Sequence, residues 1–296
     1  MAIATQRLPI RIDDLDVKYD KDRPVPAHFP RLHFIGLICG SRGSGKTTAM
    51  LKFVQAYMTA HSFDKLYILS PTYDSDPKYK LFERMPVDLH KYDHYSKQLM
   101  CDIIAEIKGD LEAYKEYLRQ KKLYQKWLKD RTDDVRTLDD RQVFELDAME
   151  YQPPTTPWKR GPPTSLLIFD DLVGSDLYRS DCRGAQNTFF TQHRHFKTSV
   201  LFLTQVYRSG VPRQLRPNLS LLLLFANKNA SMMKEIAEEY ASYISVERFM
   251  EAWRQATEEP HGFLYCDFEA PKGERLRKNF EEAFVLTERR SAAAPP

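Results

Sequence analysis

Eight consecutive residues of the chain have the types and spacing of a phosphate-binding loop, GxxxxGK[ST]: Gly40, Ser41, Arg42, Gly43, Ser44, Gly45, Lys46 and Thr47. They follow an apolar run, 34–39, and precede an amphipathic stretch, 46–60, which is the strand-loop-helix context that this motif needs. Glycines let the backbone curl so that its N–H groups, up to that of Thr48, face phosphate oxygens at a helix N-terminus. Lys46 would reach the β- and γ-phosphates, and the Thr47 hydroxyl would ligate Mg²⁺. The segment from Gly40 to Thr48 therefore predicts a binding site for ATP and Mg²⁺.

Two adjacent carboxylates, Asp170 and Asp171, follow another apolar run, 166–169. A strand of this kind, known as a Walker B strand, delivers an acid to the sheet edge beside the phosphate-binding loop. We expect Asp170 to hold Mg²⁺ through its water shell, and Asp171 to orient or deprotonate the water that attacks the γ-phosphate. The second acid favours a hydrolase over a P-loop kinase, which positions an acceptor hydroxyl instead of water. Gln205, at the end of the run 200–204, is a further candidate for contact with phosphate or with the attacking water.

These residues need a sheet that brings the ends of several strands together. Short apolar runs at 34–39, 66–69, 166–169, 200–204 and 219–225 alternate with helical patterns, and 263–268 predicts one more strand. Strands that are apolar on both sides predict a mainly parallel sheet covered by helices on both faces, because neither face meets water. The fold class predicted is a three-layer α/β P-loop NTPase fold, with a helical insertion at about 90–163, between the second strand and the Walker B strand.

The remaining segments and the composition set further expectations. Residues 1–30, with four prolines, predict an N-terminal arm; residues 31–296 predict the ATPase domain, with a disordered tail at 291–296. The net charge of +3 does not by itself indicate a nucleic-acid partner. No apolar run approaches the ~18 residues of a membrane span, and the N-terminus has no apolar block. We expect a soluble, intracellular protein that is neither secreted nor bound to a membrane.

The order of these features resembles a known family over about residues 31–230. The phosphate-binding loop comes first, then Asp170-Asp171, then Arg194-His195 on a predicted helix, then a strand that ends at Gln205, and then Arg216-Pro217-Asn218 before the last apolar strand. This order is similar to that of the FtsK/HerA superfamily of DNA translocases, and within it to the poxvirus A32-like viral genome-packaging ATPases. The resemblance implies an extra strand between the P-loop strand and the Walker B strand, with Gln205 at its tip.

The resemblance also implies how such a protein works. Members hydrolyse ATP at the subunit interfaces of a homo-oligomeric ring, a pentamer or hexamer, around double-stranded DNA. An arginine of one subunit enters its neighbour's site, and here Arg194 and Arg216 are both candidates. A capsid or portal protein is an implied partner, and the virion or the infected host cell is the implied location. No spaced acid triad follows the last apolar run, so we expect no DNA cleavage.

Several assignments stay open at this level. The stretch 114–129 is basic and aromatic and would suit DNA phosphates, but apolar residues recur in it at helical spacing and favour one buried face with solvated lysines. Those residues are Leu111, Tyr114, Tyr117, Leu118, Tyr124 and Leu128. The loop 207–213 is a second candidate for DNA or interface contact. His193 and His195 are expected to pack rather than bind metal. Two other functions remain: a small-molecule kinase, and a nucleotide switch or loader that recruits a partner through residues 90–163.

Overall fold

The structure of the protein is a computed structural model, which describes residues 23–172, 185–211, 215–240 and 244–285, without the side chains of 185–187, 209 and 210. Most of the predicted N-terminal arm, the tail 291–296, and Pro212 and Arg213 of the candidate loop 207–213 lie outside these residues.

The described residues form one nine-stranded sheet in the order β3-β2-β4-β5-β1-β6-β7-β8-β9. The strands are β1 (Ile35–Cys39), β2 (Lys65–Leu69), β3 (Asp88–Tyr92), β4 (Ser165–Asp170), β5 (Thr198–Thr204), β6 (Leu221–Phe225), β7 (Phe263–Asp267), β8 (Leu276–Lys278) and β9 (Glu282–Ala283). Neighbouring strands from β3 to β6 pair parallel, and β7 to β9 extend the sheet antiparallel. Strand β5 lies between β1, which leads into the phosphate-binding loop, and β4, which ends at Asp170. The predicted fold class and the extra strand are confirmed.

Seven helices accompany the strands in the part of the chain that is described. They are α1 (Lys46–Thr59), α2 (Lys97–Asp133), α3 (Asp140–Ala148), α4 (Ala185–Thr191), α5 (Tyr207–Gly210), α6 (Ala230–Glu239) and α7 (Val246–Ala256). A 3₁₀ helix, Pro77–Arg84, lies between β2 and β3. No described helix is long and apolar enough to cross a membrane.

The two faces of the sheet are buried by different helices. Successive residues of a strand point to opposite faces, so Ile38 packs with α1 and the 3₁₀ helix, whereas Leu37 packs with α4, α6, α7 and the first turns of α2. Both residues are fully buried. This explains why the apolar residues of β1, β4, β5 and β6 are all buried: each faces one of the two cores.

Three strands were not predicted from the sequence. Strand β3 has the sequence Asp-Leu-His-Lys-Tyr and lies at one edge of the sheet with half-buried or exposed side chains. Strands β8 and β9 are short and lie at the other edge. An edge strand buries little, so it needs no apolar run and has no clear sequence signal.

The predicted helix that carries Arg194-His195 is shorter than expected. Helix α4 ends at Thr191, and residues 192–197 form successive turns before β5. The last turn is closed by the backbone bond from Lys197 N to Arg194 O, at 3.1 Å, and Lys197 itself has a left-handed φ of 50°. The backbone N–H groups of His195 and Lys197 donate to the carbonyl oxygens three residues earlier, which is a turn pattern rather than the four-residue pattern of an α-helix. The prediction that Arg194 and His195 lie on a helix is therefore wrong.

Helix α2 is the longest element between β2 and β4, where an insertion was predicted. At ~1.5 Å per residue its 37 residues span about 55 Å. Its buried residues are Met100, Ile103, Ile104 and Ile107 in the first turns, and then only Leu123. Leu118 and Leu128 are 38% and 42% exposed. The expectation that the basic stretch buries one face against the domain is thus wrong at these two residues, because α2 runs beyond the sheet.

Helix α3 contacts the C-terminal half of α2. Arg119 on α2 is hydrogen-bonded to Glu145 on α3, and it also pairs with Glu116 one turn earlier in α2. The rings of Trp127 and Tyr151 lie 5.2 Å apart. On α3, Phe144 remains 75% exposed. The two helices therefore form a projecting hairpin that is stabilised largely by its own contacts.

Candidate nucleotide-binding site

The phosphate-binding loop has the backbone shape that its glycines allow. Gly43 and Gly45 have φ angles of 77° and 105°, in the left-handed region that glycine adopts without strain. Gly45 is the N-cap of α1, so the first N–H groups of this helix open towards the loop. A Cβ atom at Gly40 would lie 2.6 Å from Cβ of Phe225 and 2.7 Å from Oγ of Ser44. The predicted loop is therefore a tight cradle of backbone N–H groups. Position 40 has to be glycine because a side chain there would clash with Phe225 and Ser44.

Lys46 curls back over this cradle. Its Nζ donates to the carbonyl oxygens of Gly40 at 2.8 Å and Ser41 at 3.0 Å. Partial burial lowers the pKa of Lys46, and the nearby Asp170 and Asp171 oppose that shift. A cation held above backbone N–H groups, and only partly compensated by acids, suits a polyanionic ligand.

Asp170 is buried at the end of β4, where the sequence placed a metal-binding acid. Its Oδ2 accepts hydrogen bonds from the hydroxyl of Tyr79, on the 3₁₀ helix, and from Oγ of Ser70 at 3.4 Å, just after β2. Burial raises the pKa of Asp170, and the charge of Asp171 adds to that rise. The hydrogen bond from Tyr79 and the charge of Lys46 act in the opposite direction. Sequence reasoning did not identify Tyr79 or Ser70, although Ser70 is placed at the sheet edge by the end of the second apolar run.

Asp171 and Gln205 lie together at the ends of neighbouring strands. Gln205 Nε2 is 3.4 Å from Oδ1 of Asp171. Asp171 has a left-handed φ of 50°, and its backbone N–H donates to Leu203 O on β5 at 3.3 Å. The backbone N–H of Gly40 donates to Thr204 O, also on β5, at 3.2 Å. Strand β5 therefore joins the phosphate-binding loop on one side to the second acid on the other.

These groups line one cleft of about 900 Å³. On the side away from Asp170, its wall includes aromatic residues at the end of β6 and beside β7 and β8, namely Phe225, His261, Phe263 and Phe280. His261 Nδ1 lies 3.2 Å from the carbonyl oxygen of Ser44 in the loop. Sequence reasoning did not find this wall, because it depends on β7 pairing antiparallel with β6.

The residues present fit a nucleoside triphosphate with Mg²⁺. The left-handed φ angles of Gly43 and Gly45 turn the loop into the N-terminus of α1, where backbone N–H groups can bind an anion. The Thr47 hydroxyl and the Asp170 carboxylate are hard oxygen donors of the kind that Mg²⁺ prefers. Among the described residues, no group of three or more His, Cys, Asp or Glu side chains forms a metal site. Mg²⁺ is usually held by one or two protein oxygens together with substrate phosphates and water.

The structure does not bring Arg194 to the cleft of its own chain. Thr198 N, at the start of β5, donates to His193 O at 3.0 Å, so the turn that carries Arg194 lies at the beginning of β5. The cleft lies at the end of that seven-residue strand, roughly 20 Å away at ~3.3 Å per residue. The side chain of Arg194 is 63% exposed and pairs with Glu269 at 2.9 Å.

Arg216, the other candidate, is held within its own chain. Its guanidinium lies 4.9 Å from the ring centroid of Tyr207 and 3.8 Å from Glu239, and it donates to the backbone carbonyl of Arg208. Only 12% of the side chain is exposed. In the loop that was a candidate for DNA contact, Tyr207 is fully buried, and Arg208 is hydrogen-bonded to Glu235.

His193 packs, as the sequence suggested, whereas His195, for which packing was also predicted, is exposed. His193 is buried, and its two ring nitrogens lie 2.9 Å and 3.1 Å from the carbonyl oxygens of Phe190 and His33. Burial lowers its pKa.

The strand order, the loop and the acid pair together define a P-loop NTPase fold in which one strand separates the P-loop strand from the Walker B strand. No protein-family model matches the chain, and no curated protein matches it.

Among solved structures, the chain is similar to the genome-packaging NTPase B204 of Sulfolobus turreted icosahedral virus 2 in complex with ATP-gammaS. The two sequences are 14% identical, the match covers 80% of this chain and 92% of that chain, and the TM-score is 0.42. It is similar to the DNA-packaging ATPase B204 of Sulfolobus turreted icosahedral virus, with 16% identity, coverage of 79% and 92%, and a TM-score of 0.44. It is also similar to the cytoplasmic domain of the Thermomonospora curvata type VII secretion ATPase EccC, with 18% identity, coverage of 80% and 24%, and a TM-score of 0.40.

Proposed function

We propose that this chain hydrolyses ATP to move double-stranded DNA, packaging a viral genome into a capsid as a homo-oligomeric ring. The observation that carries the hydrolytic part is the contact between Asp171 and Gln205, at the ends of β4 and β5, beside a phosphate-binding loop. The DNA-translocating part rests on the sequence resemblance to the FtsK/HerA superfamily, which the extra strand β5 supports.

Each polar group of the cleft has a separate task in this proposal. The backbone N–H groups of residues 43–48 and Lys46 bind the phosphates, for which Lys46 leaves the carbonyls of Gly40 and Ser41. Thr47 and Asp170 would hold Mg²⁺, which neutralises charge on the β- and γ-phosphate oxygens when bound. Gln205 holds Oδ1 of Asp171, so that the other carboxylate oxygen can orient the attacking water and accept its proton.

A cleft of about 900 Å³ has room for the base as well as the phosphates. The base would lie against the aromatic wall, because the opposite side is occupied by Asp170, Asp171 and Gln205. Stacking on an aromatic face needs no hydrogen bonds from the protein.

Steady-state ATP hydrolysis tests the catalytic assignment. Lys46→Ala and Asp171→Ala should each abolish turnover, whereas Lys234→Ala and Asp102→Ala, which remove the same charges at exposed sites on α6 and α2, should leave it unchanged. Turnover near the unsubstituted rate after either cleft substitution would contradict the assignment.

Two further assays test movement along DNA: stimulation of ATP hydrolysis by duplex DNA, and displacement of a triplex strand. If an assembled ring were indifferent to DNA in both, the proposed translocation would be contradicted, but not the proposed hydrolysis.

Arg194 is the better of the two arginines for a role in a neighbouring subunit. Arg194 is exposed and lies at the beginning of β5, at the opposite end of the strand from its own cleft. Arg216 would have to leave its contacts with Tyr207 and Glu239 to reach a neighbouring subunit. Head-to-tail contacts that place the Arg194 edge of one subunit against the cleft of the next would close into a ring.

Mixed rings test this assignment. Arg194→Ala and Lys46→Ala subunits should each be inactive alone, but a mixture should regain activity, because a Lys46→Ala subunit can donate Arg194 to the intact loop of its neighbour. Arg216→Ala, mixed in the same way, is the comparison. Failure of the mixture to regain any activity would argue against Arg194 acting between subunits.

The projecting hairpin of α2 and α3 favours one alternative function. Its apolar residues Val143 and Phe144 are 43% and 75% exposed, as expected for a surface that recruits another protein. A nucleotide switch or loader would bind ATP and use this surface, with slow hydrolysis and no movement along DNA. The triplex-displacement assay separates it from the motor. A small-molecule kinase is disfavoured, because the contact of Asp171 with Gln205 suits a water rather than an acceptor hydroxyl.

A further inference from the structure

One residue beside the cleft, Tyr79, has no role in the mechanism above. It lies on the Pro77–Arg84 3₁₀ helix, which begins with an N-cap hydrogen bond from Lys78 N to Asp76 Oδ1 at 3.0 Å. The side chain of Tyr79 is fully buried, and its ring packs 5.9 Å from that of Phe82, which is also fully buried. Tyr79 is therefore held in place by its own helix and by the core beneath α1.

The polar end of this buried side chain is directed at one atom. The Tyr79 hydroxyl donates to Oδ2 of Asp170, and Ser70 Oγ reaches the same oxygen at 3.4 Å. Among the described residues, no hydrogen bond to Oδ1 of Asp170 is found, and Asp170 lines the cleft.

An unrestrained carboxylate can rotate about its Cβ–Cγ bond and exchange its two oxygens. A donor fixed on one oxygen stops that rotation and leaves the other as the oxygen for a cation. We propose that Tyr79 is a positioning residue for Mg²⁺: its hydroxyl fixes Oδ2 of Asp170 and reserves Oδ1 for the hydrated metal. This inference rests on the proposed function, since it assigns Mg²⁺ to Asp170.

The chain offers a matched control. Tyr73 lies beside Tyr79, with ring centroids 4.9 Å apart, and is also buried. Within the described residues, its hydroxyl is buried without a hydrogen-bond partner. Tyr73→Phe therefore removes the same atom from the same aromatic cluster but leaves Asp170 untouched.

The test is the affinity of the full chain for a fluorescent ATP analogue, measured once with Mg²⁺ and once with EDTA. Tyr79→Phe should weaken binding about 10-fold with Mg²⁺, as is typical when a group that orients a metal ligand is lost, and should not change binding in EDTA. It should also raise the Mg²⁺ concentration for half-maximal binding. Ser70→Ala should act in the same direction but less, and Tyr73→Phe should match the unsubstituted chain in both conditions.

Other results would overturn the inference. Unchanged Mg²⁺ dependence in Tyr79→Phe would show that the hydroxyl does not position the metal ligand. Equal loss in Mg²⁺ and EDTA would show that Tyr79 supports the cleft in general, and thermal melts of all variants would identify such a loss. If the unsubstituted chain bound no ATP analogue in either condition, the proposed function itself would fall, and this inference with it.

Discussion

Replacing Gly40 by alanine tests whether the phosphate-binding loop is as tightly packed as the structure indicates. The new Cβ would lie 2.6 Å from Cβ of Phe225, whereas carbon atoms pack best at ~3.5–4.0 Å, so one of them must move by about 1 Å. Cβ of Phe225 cannot rotate away, because it is attached to the backbone of β6, which pairs with β1 up to Cys39. The loop must therefore move. Such overpacking costs about 1–3 kcal/mol of unfolding free energy.

The same substitution at Gly109 is the matched control. Gly109 lies on α2, where an added Cβ would meet no atom within 4 Å beyond the backbone of its own helix, so alanine there should stabilise the helix by about 0.5–1 kcal/mol. For a chain of this size, ~1 kcal/mol shifts the melting temperature by about 2–4 °C. Thermal melts should therefore show Gly40→Ala below the unsubstituted protein and Gly109→Ala above it.

Nucleotide binding completes the assay. A phosphate-binding loop displaced by about 1 Å should lose roughly 10- to 100-fold in affinity for ATP, whereas Gly109→Ala should bind ATP normally. A Gly40→Ala variant that melts at or above the unsubstituted temperature and binds ATP with unchanged affinity would refute the close packing of this loop against β6.

Three further predictions concern charge and catalysis. Asp170→Asn should abolish Mg²⁺-dependent hydrolysis but raise the unfolding free energy at pH 7 by about 1 kcal/mol, because it removes a buried charge. Burial raises the folded-state pKa of Asp170, so this gain in stability should shrink as the pH falls through that pKa. Thermal melts across pH that show no such trend would contradict the prediction. Arg23→Ala should cost about 3–5 kcal/mol in chemical denaturation, because Arg23 is buried and pairs with Asp64 at 2.7 Å; a loss below about 1 kcal/mol would argue against this pair. Gln205→Ala should lower kcat about 10- to 100-fold with unchanged ATP affinity, and a change in affinity alone would contradict its role in holding Asp171 for the attacking water.

The central sheet could be predicted from the sequence because its strands are apolar on both sides. Most residues of β1, β4, β5 and β6 are apolar and packed in one of the two cores, so burial and sequence pattern coincide. The edge strands could not be predicted in this way, since β3 buries little and β8 and β9 are short. The prediction that the distal part of α2 buries one face was wrong at Leu118 and Leu128 for a related reason. The helical apolar spacing is real, but beyond Leu111 only Leu123 of α2 is buried, and periodicity does not show where a helix leaves its core.

The candidate site divides in the same way. The residues of the phosphate-binding loop are consecutive in sequence, and so are the two acids. Local spacing and the preceding apolar run therefore already determine that each group lies at the end of a strand. The sequence by itself therefore determined the cradle of Gly40 to Thr48 and the placing of Asp170 and Asp171 at the sheet edge.

The tertiary structure decided which distant residues surround that site. Tyr79 reaches Asp170 from 91 positions away, and His261 reaches Ser44 from 217. No spacing rule connects such residues, because their contact depends on the strand order and on the antiparallel pairing of β7 with β6. The pairing of β5 between β4 and β1 also decided that the cleft forms at the end of β5, so that Arg194, at the beginning of this strand, lies away from it.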